Sequence, residues 1–237
     1  MIYLLLAAGA FVAAAVSGAA GFGGALLLLP LLTHAVGVTE AVPLLTVAQL
    51  AGNLSRAALG WRDIRWHPVG WFLMAALPGA AIGALSFAAL PKELAVRLVG
   101  TAILVFVLLK ASGVLRLEQN RAVLVAGGAI TGLLSGLVGS AGPLGAAVFL
   151  SLNLPPVAYI ASEAVTAIAM HGVKMAIYGS QLRLSEGFWP LALLLSGAMI
   201  LGTWAGKRVI ERLPELWFRR LITSLLIVIS VQMIVTG

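Results

Sequence analysis

The chain has 237 residues, 61% of them hydrophobic and only 10% charged, with a mean hydropathy of +1.08; soluble domains are about a quarter charged, so water is not its main solvent. The formal charge of +7 comes from Lys and Arg in short connections between apolar runs, which argues against a nucleic-acid surface and reads as a membrane-topology signal. There is no cysteine, which excludes disulfides, thiolate metal sites and thiol nucleophiles, and neither a metal nor another cofactor is expected.

From the N-terminus, apolar segments at about 2–20, 25–37, 40–60, 68–90 and 94–113 precede a second set at 121–138, 143–152, 156–179, 187–208 and 216–236. A helix needs roughly 20 residues to cross about 30 Å of hydrocarbon. The runs are continuously apolar rather than alternating, so the spans are helices and not barrel strands. Met1–Ser17 lacks a basic leader and runs on into a glycine stretch with a later counterpart, so it is read as part of the mature protein. The second segment of each set is too short to cross: Pro143–Leu152 as a helix is about 15 Å long.

A shift of 118 residues superposes the two sets, aligning Gly9 with Gly127, Ser17 with Ser135, Gly18 with Gly136, Gly21 with Gly139, Gly24 with Gly142, Asn53 with His171 and Arg56 with Lys174. A shift of 123 aligns Leu90-Pro91 with Leu213-Pro214 and Arg97 with Arg220. One membrane transport domain over 1–237 is expected, with repeats at about 1–115 and 119–237. Each short segment either continues a broken helix or folds back as a re-entrant hairpin. Loop charge favours the hairpin, because only then do Arg56, Arg62 and Arg65, then Lys110, Arg116 and Arg121, then Lys207, Arg208, Arg212, Arg219 and Arg220 share the cytoplasmic side. The expected fold is therefore all-α and integral to the membrane, with two inverted repeats of about five helical segments, both termini outside and a midplane site between repeats.

The turns Ser17–Ala25 and Ser135–Pro143 lie deep in apolar sequence, where irregular backbone survives only against protein or a water-filled cavity. The helix that follows each turn directs N–H groups and a positive dipole end inward, an anion site that needs no lysine, although small residues also serve close packing. Ser17, Gly21, Phe22, Gly23 and Gly24 of the first turn and Ser135, Gly139, Ser140 and Gly142 of the second are the candidate substrate-binding backbone. The candidate side chains are Gln49, Asn53 and Arg56 at helical spacing and, on the later stripe, His171 and Lys174; Glu163 and His171 are candidates for proton coupling. Arg56 and Lys174 either meet the anion or snorkel to an interface. Trp61, Trp66 and Trp71, with His34, Asp63 and His67, read as interfacial and carry no assigned chemistry. Ser140 with His171 as a serine protease fails on spacing and on Phe22 as the repeat partner of Ser140, and no His-Glu-x-x-His pattern is present, so no enzyme is expected.

Gly21-Phe22-Gly23-Gly24 leading into Leu26–Leu32, with a second copy at Ser135–Pro143, resembles the sulfite exporter TauE/SafE family over almost the whole chain. The resemblance implies a multi-pass inner-membrane permease that exports sulfite, organosulfonates or related small anions. The second copy departs from it, with Gly139-Ser140-Ala141-Gly142-Pro143 where the family commonly has a run of glycines. Expected partners are the lipid bilayer, a small anionic substrate and a coupling proton or other ion, with a homodimer as an assembly to test and no nucleic acid. A passive anion channel is the alternative mode of transport.

Overall fold

The computed structural model describes residues 2–21, 24–86, 97, 100–101, 103–105, 107–108, 120–138, 141–181, 185–210, 212 and 214–236. Besides isolated helical positions between 97 and 108, these form α1 (Ile2–Ala20), α2 (Gly24–Leu59), α3 (Trp66–Leu85), α4 (Arg121–Val138), α5 (Gly142–Ser151), α6 (Pro156–Gln181), α7 (Phe188–Ile210) and α8 (Glu215–Thr236). A 3-10 turn, Trp61–Asp63, joins α2 to α3, and the described residues contain no strand. Among the described residues, five helices are long and apolar enough to cross a bilayer, namely α1, α3, α6, α7 and α8. The fifth apolar segment, near 94–113, lies largely outside the described residues.

α2 folds back on itself. Gly37 has φ 78 and ψ 163 within its 36 residues, a backbone state open mainly to glycine. A Cβ on Gly24 would lie 3.1 Å from Gln49 Nε2, whereas a straight helix would hold these residues about 37 Å apart. The arm 24–36 also runs antiparallel to α1, since Gly24 lies against Ala13 and Ser17 while Leu31 reaches back to Gly9. The second half repeats this geometry: Gly145 lies against Thr131 and Val148 against Gly127, so α5 returns along α4. The tip after α5 also holds a positive φ, at Asn153 (φ 53), a conformation asparagine tolerates.

The two tips sit at opposite ends of α6. Leu152, Asn153 and Leu154 share a cavity with Ile64–Pro68, beside the α6 start, whose Val157 and Ala161 face Gly60. At the far end, Ser185 donates through its backbone N–H and its hydroxyl to the Glu40 carboxylate at 3.2 and 3.0 Å, just after the Gly37 bend. One hairpin therefore enters from each end of the bundle.

Small residues set the packing between the halves. α1 packs most heavily on α7, and α4 on α3, so the first helix of each half lies on the fourth segment of the other. At the α3–α4 seam a methyl on Gly128 or Gly132 would stand 2.1 Å from the carbonyl oxygen of Phe72 or Ala76, and at the α1–α7 seam one on Gly202 would stand 2.2 Å from that of Phe11. Such glycines at four-residue spacing let backbones touch where lipid offers no hydrophobic drive for association. Most buried apolar side chains fall into one core built on α1, α2 and α7 and another built on α3, α4, α5, α8 and part of α6, with a small cluster of Val42 and Ala84 beside Leu29 and Ile177. Arg121, Arg208 and Arg220 stack over Trp71, Trp204 and Trp217 at 5.0, 3.5 and 5.8 Å, as interfacial anchors do.

Candidate functional site

Between the two cores lies a cavity lined from one side by Ser17, Gly21, Ala25, Gln49, Asn53 and Arg56, and from the other by Thr131, Ser135, Gly142, Gly145, Glu163, Ala167, Met170 and His171. It is an interior space large enough to admit water and a small polar ligand. Three pairs on its wall are related by the 118-residue shift: Ser17 with Ser135, Gln49 with Ala167, and Asn53 with His171.

Arg56 is the most heavily bonded side chain of the site. It is 6% exposed; Nη1 donates to the Ser17 carbonyl at 3.4 Å and to the Gly21 carbonyl, and Nη2 donates to Asn53 Oδ1. Its Nη1 also lies 3.3 Å from Glu163 Oε2, an ion pair across the two cores. The guanidinium thus covers the last carbonyls of α1, where the helix dipole is negative. The backbone supports this end: Gly21 has φ 81, its N–H donates to the Ser17 carbonyl at 2.7 Å, and any Cβ there would stand 2.7 Å from the Tyr159 ring. Only glycine meets both demands.

Lys174 follows the same plan with a different bond. It is fully buried, and its Nζ donates at 3.2 Å to the hydroxyl of Ser135, the repeat counterpart of the serine that Arg56 contacts. Lys174 stands behind Ser135 and is not among the lining residues. Neither cation snorkels. Arg56 also lines a second cavity with Gly18, Leu59, Gly60, Val157, Ile160, Thr203 and Lys207, where Lys207 donates to the Leu59 carbonyl at 3.0 Å. Arg56 thus lines both spaces.

The helix starts contribute less than their repetition implies. At α5, Pro143 has no N–H, while those of Leu144 and Gly145 are donated to the Ala141 carbonyl at 3.0 and 3.3 Å. Side chains supply most of the polarity. Among the described residues, the buried side-chain atoms without a hydrogen-bond partner are Gln49 Nε2, Thr131 Oγ1, Glu163 Oε2 and His171 Nδ1, and all four residues line the inner cavity. Glu163 is on this roster despite its ion pair because the Arg56 N–H does not point along the contact.

Of the residues expected from sequence, the fold brings Ser17, Gly21, Gln49, Asn53, Arg56, Ser135, Gly142, Glu163 and His171 to one cavity. Gly24 stands one layer out, against Gln49 and Ser17, while Phe22, Gly23, Gly139 and Ser140 lie outside the described residues. Sequence reasoning missed Thr131 and Gly145. Thr131 stands four residues before Ser135 on an apolar helix, a two-residue polar stripe that could have marked it.

No curated protein and no solved structure matches the chain. A family model does: the one described as sulfite exporter TauE/SafE matches residues 5–233. With long apolar helices, two helical hairpins meeting at a buried polar cavity and that match over nearly its whole length, the chain belongs to the sulfite exporter TauE/SafE family of membrane transporters.

Proposed function

We propose that the chain is a secondary transporter that exports a small sulfur oxyanion across the inner membrane by alternating access, with the inner cavity as its substrate site. The observation that carries this reading is the convergence on one space of four buried polar atoms that lack a hydrogen bond. Each such atom costs roughly 1–3 kcal/mol while unsatisfied, a cost a fold retains where a ligand offsets it. The Arg56–Glu163 pair crosses from one core to the other; separating it connects the inner cavity to the space beside Lys207, and closing it seals that side. Sliding along the glycine seams supplies the opposite opening. Glu163 and His171 are the groups through which a proton couples to this cycle.

The test is flux of sulfite from proteoliposomes under an imposed pH gradient. Gln49→Ala and Thr131→Val should each lower flux at least about tenfold, the result of losing 1.4 kcal/mol or more of binding, while Leu193→Ala, on an exposed face, should not. Equal flux in all three variants would remove the cavity from the mechanism, and flux indifferent to the gradient would favour a passive pathway.

A further inference from the structure

We infer that the inner cavity selects a small oxyanion that still carries one acidic proton, a monoanion of the HXO₃⁻ type, and discriminates against its dianion and against larger sulfonates. The inference rests on the reading of that cavity as the substrate site and adds the ionisation state and size of the ligand.

It follows from matching donors to acceptors. Gln49 Nε2 brings N–H donors, the Thr131 hydroxyl brings one O–H, and His171 Nδ1 donates in one tautomer. All three suit unprotonated oxygens of an anion. Glu163 Oε2 is different: an ionised carboxylate oxygen only accepts. A dianion would leave it with only the misaligned Arg56 contact and set two negative groups against each other in a buried cavity. An HXO₃⁻ ion turns its hydroxyl toward Glu163 and its two bare oxygens toward the donors, so every orphaned atom is answered at once.

The surrounding charges agree. The titratable or charged groups facing the cavity from α2 and α6 are Arg56, Glu163 and His171, with Lys174 behind Ser135 and Tyr159 against Gly21. The other linings, from α1 and the turn after it, α4 and α5, are Ser17, Gly21, Thr131, Ser135, Gly142 and Gly145, none of them titratable. Arg56 is already paired to Glu163 and to two carbonyls, so it does not offer an undivided charge to a dianion. Size points the same way, because a methyl on Gly145 would stand 3.4 Å from Thr131 Cγ2 and 4.0 Å from Glu163 Oε1, in ordinary contact with the cavity wall. A methyl there takes up the room between that backbone and Thr131 and Glu163.

The experiment measures ligand-induced thermal protection of the purified full chain in detergent. Its probes are sulfite and selenite, which share a pyramidal shape but lose their second proton at different pH, with methanesulfonate and sulfate as ligands lacking an acidic proton near neutrality. Apparent affinity for sulfite should fall about tenfold per pH unit above its second ionisation, and the midpoint should move upward for selenite. Sulfate and methanesulfonate should protect weakly at every pH. In Glu163→Gln, whose amide can donate to a bare oxygen, the pH slope should flatten; Gly145→Ala should abolish protection while remaining folded. A midpoint common to sulfite and selenite would put the proton on the protein, and protection by sulfate equal to that by sulfite would put no proton at the contact; either result overturns the inference and leaves the cavity as the site. Failure of every anion to protect at any pH overturns the site reading and this inference with it.

Discussion

Arg56 and Lys174 are matched by the 118-residue shift and reach two serines that the same shift matches, Ser17 and Ser135, yet they are built into different surroundings. Arg56 binds the Ser17 carbonyl, the Gly21 carbonyl, Asn53 and Glu163, and stands on the walls of two cavities. Lys174 reaches the Ser135 hydroxyl from outside the cavity lining. The difference originates in residues the repeat does not share. Glu163 aligns with Leu45 and Thr131 with Ala13, so one half has apolar side chains where the other has a carboxylate and a hydroxyl. Two hairpins meeting at one cavity supply the frame, and the residues that differ between them supply the chemistry.

The sharpest way to break this comparison is to remove each cation in turn. Arg56→Met should be the most damaging single change, because it leaves Glu163 buried without its counter-charge; losing one partner of a buried pair costs about 3–5 kcal/mol. The double variant Arg56→Met with Glu163→Leu should recover much of that loss, and thermal unfolding followed by size-exclusion chromatography would reveal it. No recovery would mean that the carbonyls of α1, rather than Glu163, are what Arg56 chiefly serves. Next in size is the first turn: Gly21→Ala forces a side chain to φ 81 and onto the Tyr159 ring 2.7 Å away, a strain of roughly 1–3 kcal/mol. A stability unchanged in Gly21→Ala would show that the turn relaxes freely.

Much of this frame was readable in the sequence. Segment limits at 121–138 and 216–236 coincide with or fall within a residue of α4 and α8, because continuous apolar runs leave helices little choice of boundary in lipid. The short segments lie back along α1 and α4, and Ser17 and Ser135, aligned in the sequence, both line the cavity. Harder to read was who pairs with whom. Arg56 and Lys174 look equivalent as intramembrane cations, but pairing depends on which residues of the other half arrive opposite them, and Glu163 lies 107 positions beyond Arg56. Thr131 was hidden for a related reason: one hydroxyl in an apolar helix is ordinary until a neighbouring hairpin makes a cavity beside it.

Smaller effects sharpen the same contrast. Ser135→Ala removes the hydroxyl that Lys174 meets and should cost about 1 kcal/mol, whereas Ser17→Ala, which keeps the carbonyl that Arg56 uses, should cost less. Equal losses would mean that the Ser17 hydroxyl carries an interaction of its own. Comparing the thermal midpoints of the two variants in one detergent decides the matter.

The smallest expected effect concerns the tip of the first hairpin. Glu40 accepts two hydrogen bonds from Ser185 in an exposed setting, where such contacts contribute at most about 1 kcal/mol and are screened by salt. Glu40→Ala should therefore leave the thermal midpoint almost unmoved. It should nevertheless speed hydrogen exchange of the amides flanking Gly37, because the contact joins that tip to the segment between α6 and α7. The tip at Asn153, next to the 64–68 segment at the other end of α6, provides the internal reference. If exchange quickens at both tips, the two hairpins move as one body and separation of the two cores cannot be the transport step; if it quickens only near Gly37, each hairpin opens on its own side, as alternating access requires.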